Sequence, residues 1–324
     1  SSLNDDQNGS SPPLPSGGRP GDSTLDPSPQ PCHSLELIDM VDKASAADFL
    51  GRFREIIADP LNLLIRRHPS AGTLLGDQVY LHNGLLVPAS GPDTYYADFN
   101  NILLINRGVH EPLEEFVFQQ LVHVLTSAPR ETAPTMLELG AYWGHYSMWL
   151  KAALPEASVH LVEPEAKNLD VGRKNFARNG LTASFEHAFV GRGQFQVDNY
   201  MRHNALPRLD ILHADIQGYE LEMLEGCCAS FRSRIIDYLC VSTHSQKLHD
   251  DVVAALLAAD YRVEVSSDFE TGTSSFDGFV FASSPEVPSL FDDFRPIGRL
   301  QTLDTPPADL LHFLTQTNMA YPLK

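Results

Sequence analysis

The sequence predicts an α/β fold: a doubly wound, mostly parallel seven-stranded sheet, preceded by N-terminal helices and a small β-hairpin region. Three observations lead there. From residue 135 to residue 281, strand-like and helix-like stretches alternate, the pattern of a parallel sheet with helices packed on it. The first of these strands, Thr135-Met136-Leu137-Glu138-Leu139, runs directly into Gly140-Ala141-Tyr142-Trp143-Gly144, and a helical pattern follows. The last two strands, Tyr261 to Val265 and Gly278 to Phe281, read as an antiparallel pair.

Composition narrows the function. At 324 residues with 43% hydrophobic residues, the chain can bury a sizeable core. A formal net charge of −19 argues against nucleic acid as a partner, because phosphate binding needs a basic stripe, and against anionic lipid. A small-molecule partner is expected instead, and a homo-oligomer stays open. Cys32, Cys227, Cys228 and Cys240 form neither a disulfide framework nor a metal knuckle. Reduced buried thiols, no apolar run of membrane length and no basic-then-apolar leader together give a cytoplasmic expectation.

Four regions follow along the chain. Residues 1–32, rich in Ser, Pro, Gly and Asp, cannot bury enough surface to offset the entropy of ordering and are expected to be a disordered tail. Residues 33–130 are expected to hold helices and a hairpin on the lid or substrate side. Leu35, Leu37, Ile38 and Val41, then Phe49, Leu50, Phe53, Ile56 and Ile57, recur at helical spacing, and Leu61–Ile65 gives one more short helix. Val79, Leu81, Leu85 and Val87 alternate around Asn83-Gly84, a hairpin signal. Leu103–Ile105 reads as another strand. Between them lies Thr94-Tyr95-Tyr96-Ala97-Asp98-Phe99-Asn100, whose mixture of aromatic and polar side chains suits a pocket wall, with Tyr95, Tyr96 and Asn100 as candidate substrate contacts. Pro112 opens a helix running to Ser127, with Glu111, Glu114 and Glu115 complementing its positive end. Residues 131–284 are the alternating core, and residues 285–324 are expected to wrap its surface.

Ligands of open α/β sheets sit beyond the carboxyl ends of the strands, so the strand ends supply the candidate residues. Strand one gives Glu138 and the turn Gly140, Ala141, Tyr142 and Gly144. Glycines there let a ligand approach the backbone, and the helix N-terminus beyond offers open N–H groups. A dinucleotide turn would be G-x-G-x-x-G, and position 142 is Tyr. The spacing of Glu138, Gly140 and Gly144 instead resembles the first strand-turn of a class I S-adenosylmethionine (SAM) methyltransferase. Strand two ends in Glu163, placed to accept hydrogen bonds from ribose hydroxyls. Strand three ends near Ala188 and Phe189, the expected adenine contacts. Strands four and five end in Asp215 and His244. His244, assisted by Asp215, is a candidate general base. Alternatively Asp215 and His244 ligate a divalent metal with Glu220 or Asp277, or His244 merely caps the next helix. His213 reads as packing.

Several of these stretches together resemble the FkbM-type methyltransferases. They are Leu137–Gly144, Glu163-Pro164, Val197-Asp198-Asn199-Tyr200-Met201 and, most specifically, Asp210-Ile211-Leu212-His213-Ala214-Asp215-Ile216-Gln217-Gly218-Tyr219-Glu220, which is similar to the family signature hhKhDhEGhE. His110-Glu111-Pro112 resembles the segment before the core. The resemblance spans roughly residues 75–285 and implies a Rossmann-like class I methyltransferase fold, SAM as cofactor, residues 131–284 as the SAM-binding core, and methylation of oxygen in sugars, natural products or modified peptides. His213 stands where the family has Lys, and Gln217 where it has Glu. A SAM-binding scaffold without transfer activity is the alternative that these two departures keep open.

Overall fold

Two units make up the chain, Ser1–Ala46 and Ala47–Lys324. The computed structural model describes residues 43–95, 97–127, 129–274 and 277–323. The tail expected over residues 1–32, and the helical pattern from His33 to Val41, lie outside the described residues. The second unit holds both sheets.

Helix α1 (Lys43–Ala58) ends at Asp59, which caps a 3₁₀ turn over Pro60–Leu63 by accepting Leu61 N–H at 2.8 Å. The short helix expected at Leu61–Ile65 is this turn. Burial pushes the Asp59 carboxyl up to about 7. The hairpin forms as expected within a three-stranded antiparallel sheet: β1 (Leu74–Leu75), β2 (Gln78–Tyr80) and β3 (Leu86–Pro88), with Val79 opposite Val87. Gly84, at φ 86°, takes the left-handed conformation that the turn requires.

The strand expected at Leu103–Ile105 is instead helical. A 3₁₀ turn over Ala97–Asn101 leads into α2 (Ile102–Ile105). Ile102 and Leu103 are buried side by side while Ile105 is 59% exposed, which is not the alternation of a strand. So short an apolar run carries too few repeats to separate the two periods.

From α3 (Pro112–Ser127) onward, strands and helices alternate as predicted. They are β4 (Thr135–Leu139), α4 (His145–Ala153), β5 (Ser158–Glu163), α5 (Ala166–Arg178), β6 (Ser184–His187), α6 (Val197–His203), β7 (Leu209–Ala214), α7 (Glu220–Glu225), α8 (Cys228–Arg232), β8 (Ile236–Thr243), α9 (Gln246–Ala258), β9 (Arg262–Ser267) and β10 (Gly278–Ser283). The seven strands run in the order β6-β5-β4-β7-β8-β10-β9. All are parallel except β10, which is antiparallel to both its neighbours. β6 is shorter than the expected 184–190, and Val190 makes only a single bridge to Phe195.

Both sheet faces are covered, as unbroken apolar strands require. Met136, Ile211, Tyr238 and Phe281 join one cluster with Phe116, Met148 and Trp149, from α3 and α4. Their strand neighbours Leu137, Leu212, Leu239 and Val280 join a second cluster with Met201, Met223 and Val252, from α6, α7 and α9. After β10 come α10 (Arg299–Asp304) and α11 (Pro307–Ala320), with Phe291, Phe294 and Tyr321 packed ring against ring on Phe116. Among the described residues no helix is long and apolar enough to cross a membrane. Cys227, Cys228 and Cys240 are free thiols.

Candidate functional site

β4 lies between β5 and β7, which is where the strand order reverses. A cavity of about 240 Å³ opens at the carboxyl ends of these strands. Its floor is the glycine turn. Gly140 adopts φ 69°, and a Cβ there would lie 1.8 Å from the Asp215 carbonyl oxygen, so the end of β7 packs directly on this glycine. The Asp215 N–H donates to Leu139 O at 3.0 Å and locks the contact. Tyr142, at φ 44°, holds the left-handed conformation usually left to glycine. Such strain persists only where surrounding structure imposes it. Here Tyr142 N–H donates to Glu163 Oε2 at 3.0 Å, and Tyr142 OH donates to Thr94 O at 3.3 Å. Gly144, at φ 78°, sits against Leu161 and Phe176.

Glu138 lines the cavity and is tied to the next helix. Its Oε2 accepts the Ser147 N–H at 2.9 Å, tying β4 to the start of α4, and burial pushes its carboxyl up to about 7. Glu163 accepts N–H groups from Tyr142, Glu165 and, at 3.4 Å, the Asn168 side chain. Three of its roughly four acceptor positions are thereby used. Phe189 lines the cavity and meets Tyr219 edge to face at 4.7 Å, whereas Ala188 packs into the second cluster.

The acids that crowd this cavity come as much from α3 as from the strands. Glu111 and Glu114 line it with Asp215. Burial raises the Glu111 carboxyl, with His110 opposing and Asp215 adding to the rise. Burial raises Glu114 well above the usual carboxylate range, and Glu111, Asp215 and Asp277 push in the same direction. Tyr146 OH donates to Glu111 at 2.7 Å, and Ser242 Oγ to Glu114 at 3.1 Å. The sequence places these acids at a helix start, where the dipole explains them. Only the fold turns that end toward the sheet.

Asp215 and His244 do come together. His244 Nε2 lies 3.1 Å from Asp215 Oδ1 and 3.8 Å from Asp277, and its Nδ1 lies 3.1 Å from buried Glu220. Burial alone would lower the imidazole, but the Asp215 and Glu220 carboxylates facing its ring nitrogens and the charge of Asp277 push it up to about 10. The same Nε2 also lies 3.0 Å from the Gln217 side-chain nitrogen. The Gln217 amide donates to Asp215 Oδ1 at 3.1 Å, and Gln217 sits at φ 55°. Glu220 accepts the Ile216 and Gly218 N–H groups. One ligand atom each from Asp215, Glu220 and His244 lies within 4.8 Å of the others, and a metal there would compete with those N–H groups for Glu220. His213, read as packing, lines the cavity floor, 4.3 Å from the Tyr146 ring, and burial pushes it down to about 4.

Tyr95 is buried, stacks on Trp143 at 4.8 Å and lines both this cavity and a smaller one of about 60 Å³ beside it. That second cavity shares Glu111 and Glu114 and adds Arg52, Asp277 and Phe279. Asn100 does not reach either. Its amide donates to Pro88 and Ala89 carbonyls and its oxygen accepts Tyr95 N–H, so it braces the loop. Tyr96 lies outside the described residues.

A reversing strand order 3-2-1-4-5 with an antiparallel strand inserted next to the edge, and an acid-lined cavity at the glycine turn, define the class I methyltransferase architecture. Within it, residues 192–263 match the family model described as "Methyltransferase FkbM domain". Over that segment, under a quarter of its length, the chain is similar to the FkbM methyltransferase domain. The match holds β7, α7, α8, β8 and α9, including the signature at 210–220. The glycine turn and His110-Glu111-Pro112 lie outside it. No curated protein matches the sequence. Among solved structures, the chain is similar to a precorrin-6y C5,15-methyltransferase from Geobacter metallireducens (15% identity, 61% of this chain and 98% of that one, TM-score 0.40). It is also similar to a SAM-dependent methyltransferase from Agrobacterium tumefaciens (15%, 68% and 73%, TM-score 0.42). A third is a ribosomal protein L11 methylase from Lactobacillus delbrueckii subsp. bulgaricus (11%, 52% and 78%, TM-score 0.36).

The cavity residues fit SAM on physical grounds. Its sulfonium and ammonium are cations, and the cavity gathers Glu111, Glu114 and Asp215, two of them raised by burial and mutual repulsion. A cation there relieves both effects. The turn at Gly140 brings bare backbone to the cavity, and Glu163 keeps one acceptor position.

Proposed function

We propose that this chain methylates a hydroxyl oxygen of a small polar molecule, with SAM over β4 and β5 and the acceptor entering through the smaller cavity beside Tyr95. The observation that carries this reading is the acid cluster joining the two cavities, with Asp215 at its centre.

SAM supplies an electrophilic methyl group when bound. The chain's part is alignment and proton handling. The Gly140–Gly144 turn and Glu163 hold the nucleoside side, and Phe189 with Tyr219 offers aromatic edges to the adenine. Tyr95 and Trp143 form an apolar wall that excludes water from the junction. Asp215 is the group placed to accept the hydroxyl proton. His244, 3.1 Å from Asp215 Oδ1 and from Glu220, positions the Asp215 carboxylate. Gln217 supplies a neutral donor to the same oxygen, where a second acid would add repulsion.

The test is product formation. Incubation of the protein with SAM and a panel of hydroxylated acceptors should release S-adenosylhomocysteine, and at saturating SAM Asp215→Asn should lower kcat by about 10²–10³. Tight SAM binding with no transfer to any acceptor would support the scaffold alternative and overturn this reading.

A further inference from the structure

A second group of ionisable side chains lies in the second unit beside the cavity, which His145 also lines. His82 from the hairpin turn, Glu115 from α3 and His145 at the first position of α4 are all buried, with Glu115 at 0% exposure. Glu115 Oε1 lies 3.3 Å from His145 Nε2, and Glu115 Oε2 lies 3.6 Å from His82 Nε2. Yet His82 Nε2, both ring nitrogens of His145 and Glu115 Oε2 have no hydrogen bond of normal geometry among the described residues. Buried polar atoms left this way are costly, and so many in one place call for a missing partner.

We propose that His82, Glu115 and His145 hold a divalent cation of the zinc class. One ligand atom from each lies within 4.8 Å of the others. Glu115 thus reaches both imidazoles, one through each carboxylate oxygen, at 3.3 and 3.6 Å. Two imidazoles and a carboxylate suit zinc and its neighbours, and suit magnesium or calcium poorly. His110 donates its backbone N–H to Glu115 Oε1 at 3.2 Å and its ring contacts the same oxygen, which orients the carboxylate. The Trp149 and Trp143 rings cover His82 and His145 respectively.

The three ligands come from three separate elements. His145 follows Gly144 directly, so an ion here would pin the cofactor turn to α3 and to the hairpin. This site shares no residue with the Asp215, Glu220 and His244 group.

The test compares the full-length wild type with His82→Gln and His244→Gln, all produced in zinc-supplemented medium, by elemental analysis. One zinc per chain is expected in the wild type and in H244Q, and loss of zinc in H82Q. Metal absent from the wild type, or lost in H244Q and kept in H82Q, would overturn the assignment. If H82Q does not fold, the wild type alone decides. Dipicolinate should lower its Tm by roughly 5–15 °C, and zinc should restore it, as expected for a ligand at about a thousandfold excess over Kd. Cobalt in place of zinc should give the intense visible bands of a tetrahedral site. No change in Tm with chelator and no cobalt spectrum would equally refute it.

Discussion

Replacing Gly140 by Ala tests how the cofactor turn is built. Two costs are separable. Holding a residue with a Cβ at φ 69° costs roughly 1–2 kcal/mol. The Cβ would also lie 1.8 Å from the Asp215 carbonyl oxygen and 2.8 Å from its carbon, both backbone atoms that cannot swing away. β4 and β7 must then part by more than an ångström at the very end of their ladder. That sacrifices the Asp215 N–H bond to Leu139 O and leaves buried polar groups unpaired, a further ~1–3 kcal/mol. The total is about 2–5 kcal/mol, or a fall in Tm of roughly 5–15 °C. Because Asp215 moves with the turn, SAM affinity and kcat should both fall, the latter by about a hundredfold. Gly180 is the control. It has φ 65° but nothing within 4 Å of its notional Cβ, so Gly180→Ala bears the conformational cost alone. Thermal denaturation followed by circular dichroism and calorimetric SAM titration measure both variants. Equal losses in Gly140→Ala and Gly180→Ala would refute the claim that strand β7 packs on the glycine.

Other consequences are quickly checked. Glu163→Gln removes a charged acceptor while keeping the shape, and should weaken SAM binding by about 10–100-fold with kcat at saturation little changed; steady-state kinetics separates the two. SAM affinity should rise with pH between about 6 and 8. Glu138 titrates at about 7 and Glu111 is raised, so ionising them strengthens the attraction for a cation; a flat calorimetric profile, with no proton release across buffers, contradicts this. Asp59 reaches about 7 in the folded state against 3.8 unfolded, so its contribution to stability is full below pH 4 and is lost as pH rises toward 7. Asp59→Asn keeps the cap, and should add up to about 4 kcal/mol at pH 7 and nothing at pH 4 in urea titrations.

The sheet was legible because its signals are repetitive: every parallel strand is an apolar run, and each ends at a turn or an acid. Leu103–Ile105 was misread because its run is too short to show a period. The candidate site was only half legible. Glu138, Gly140, Glu163, Asp215 and His244 each stand at a strand end, where chain order alone locates them. Glu111 and Glu114 are on a helix that precedes the sheet, and nothing local says which way its first turn faces. His82, Glu115 and His145 are spread over more than sixty residues, and only the packing of a hairpin, α3 and α4 unites them. The surroundings of His244 were hidden for a similar reason: Glu220 and Asp277 join it only in three dimensions.

The central claim is that this acid-lined cavity receives a cationic nucleoside cofactor. Calorimetric titration of the full chain with SAM, and separately with NAD, tests it most directly. The account predicts saturable, one-to-one binding of SAM that is lost in Glu163→Ala, and no heat with NAD. Binding of NAD without SAM, or SAM binding that survives Glu163→Ala unchanged, would contradict it.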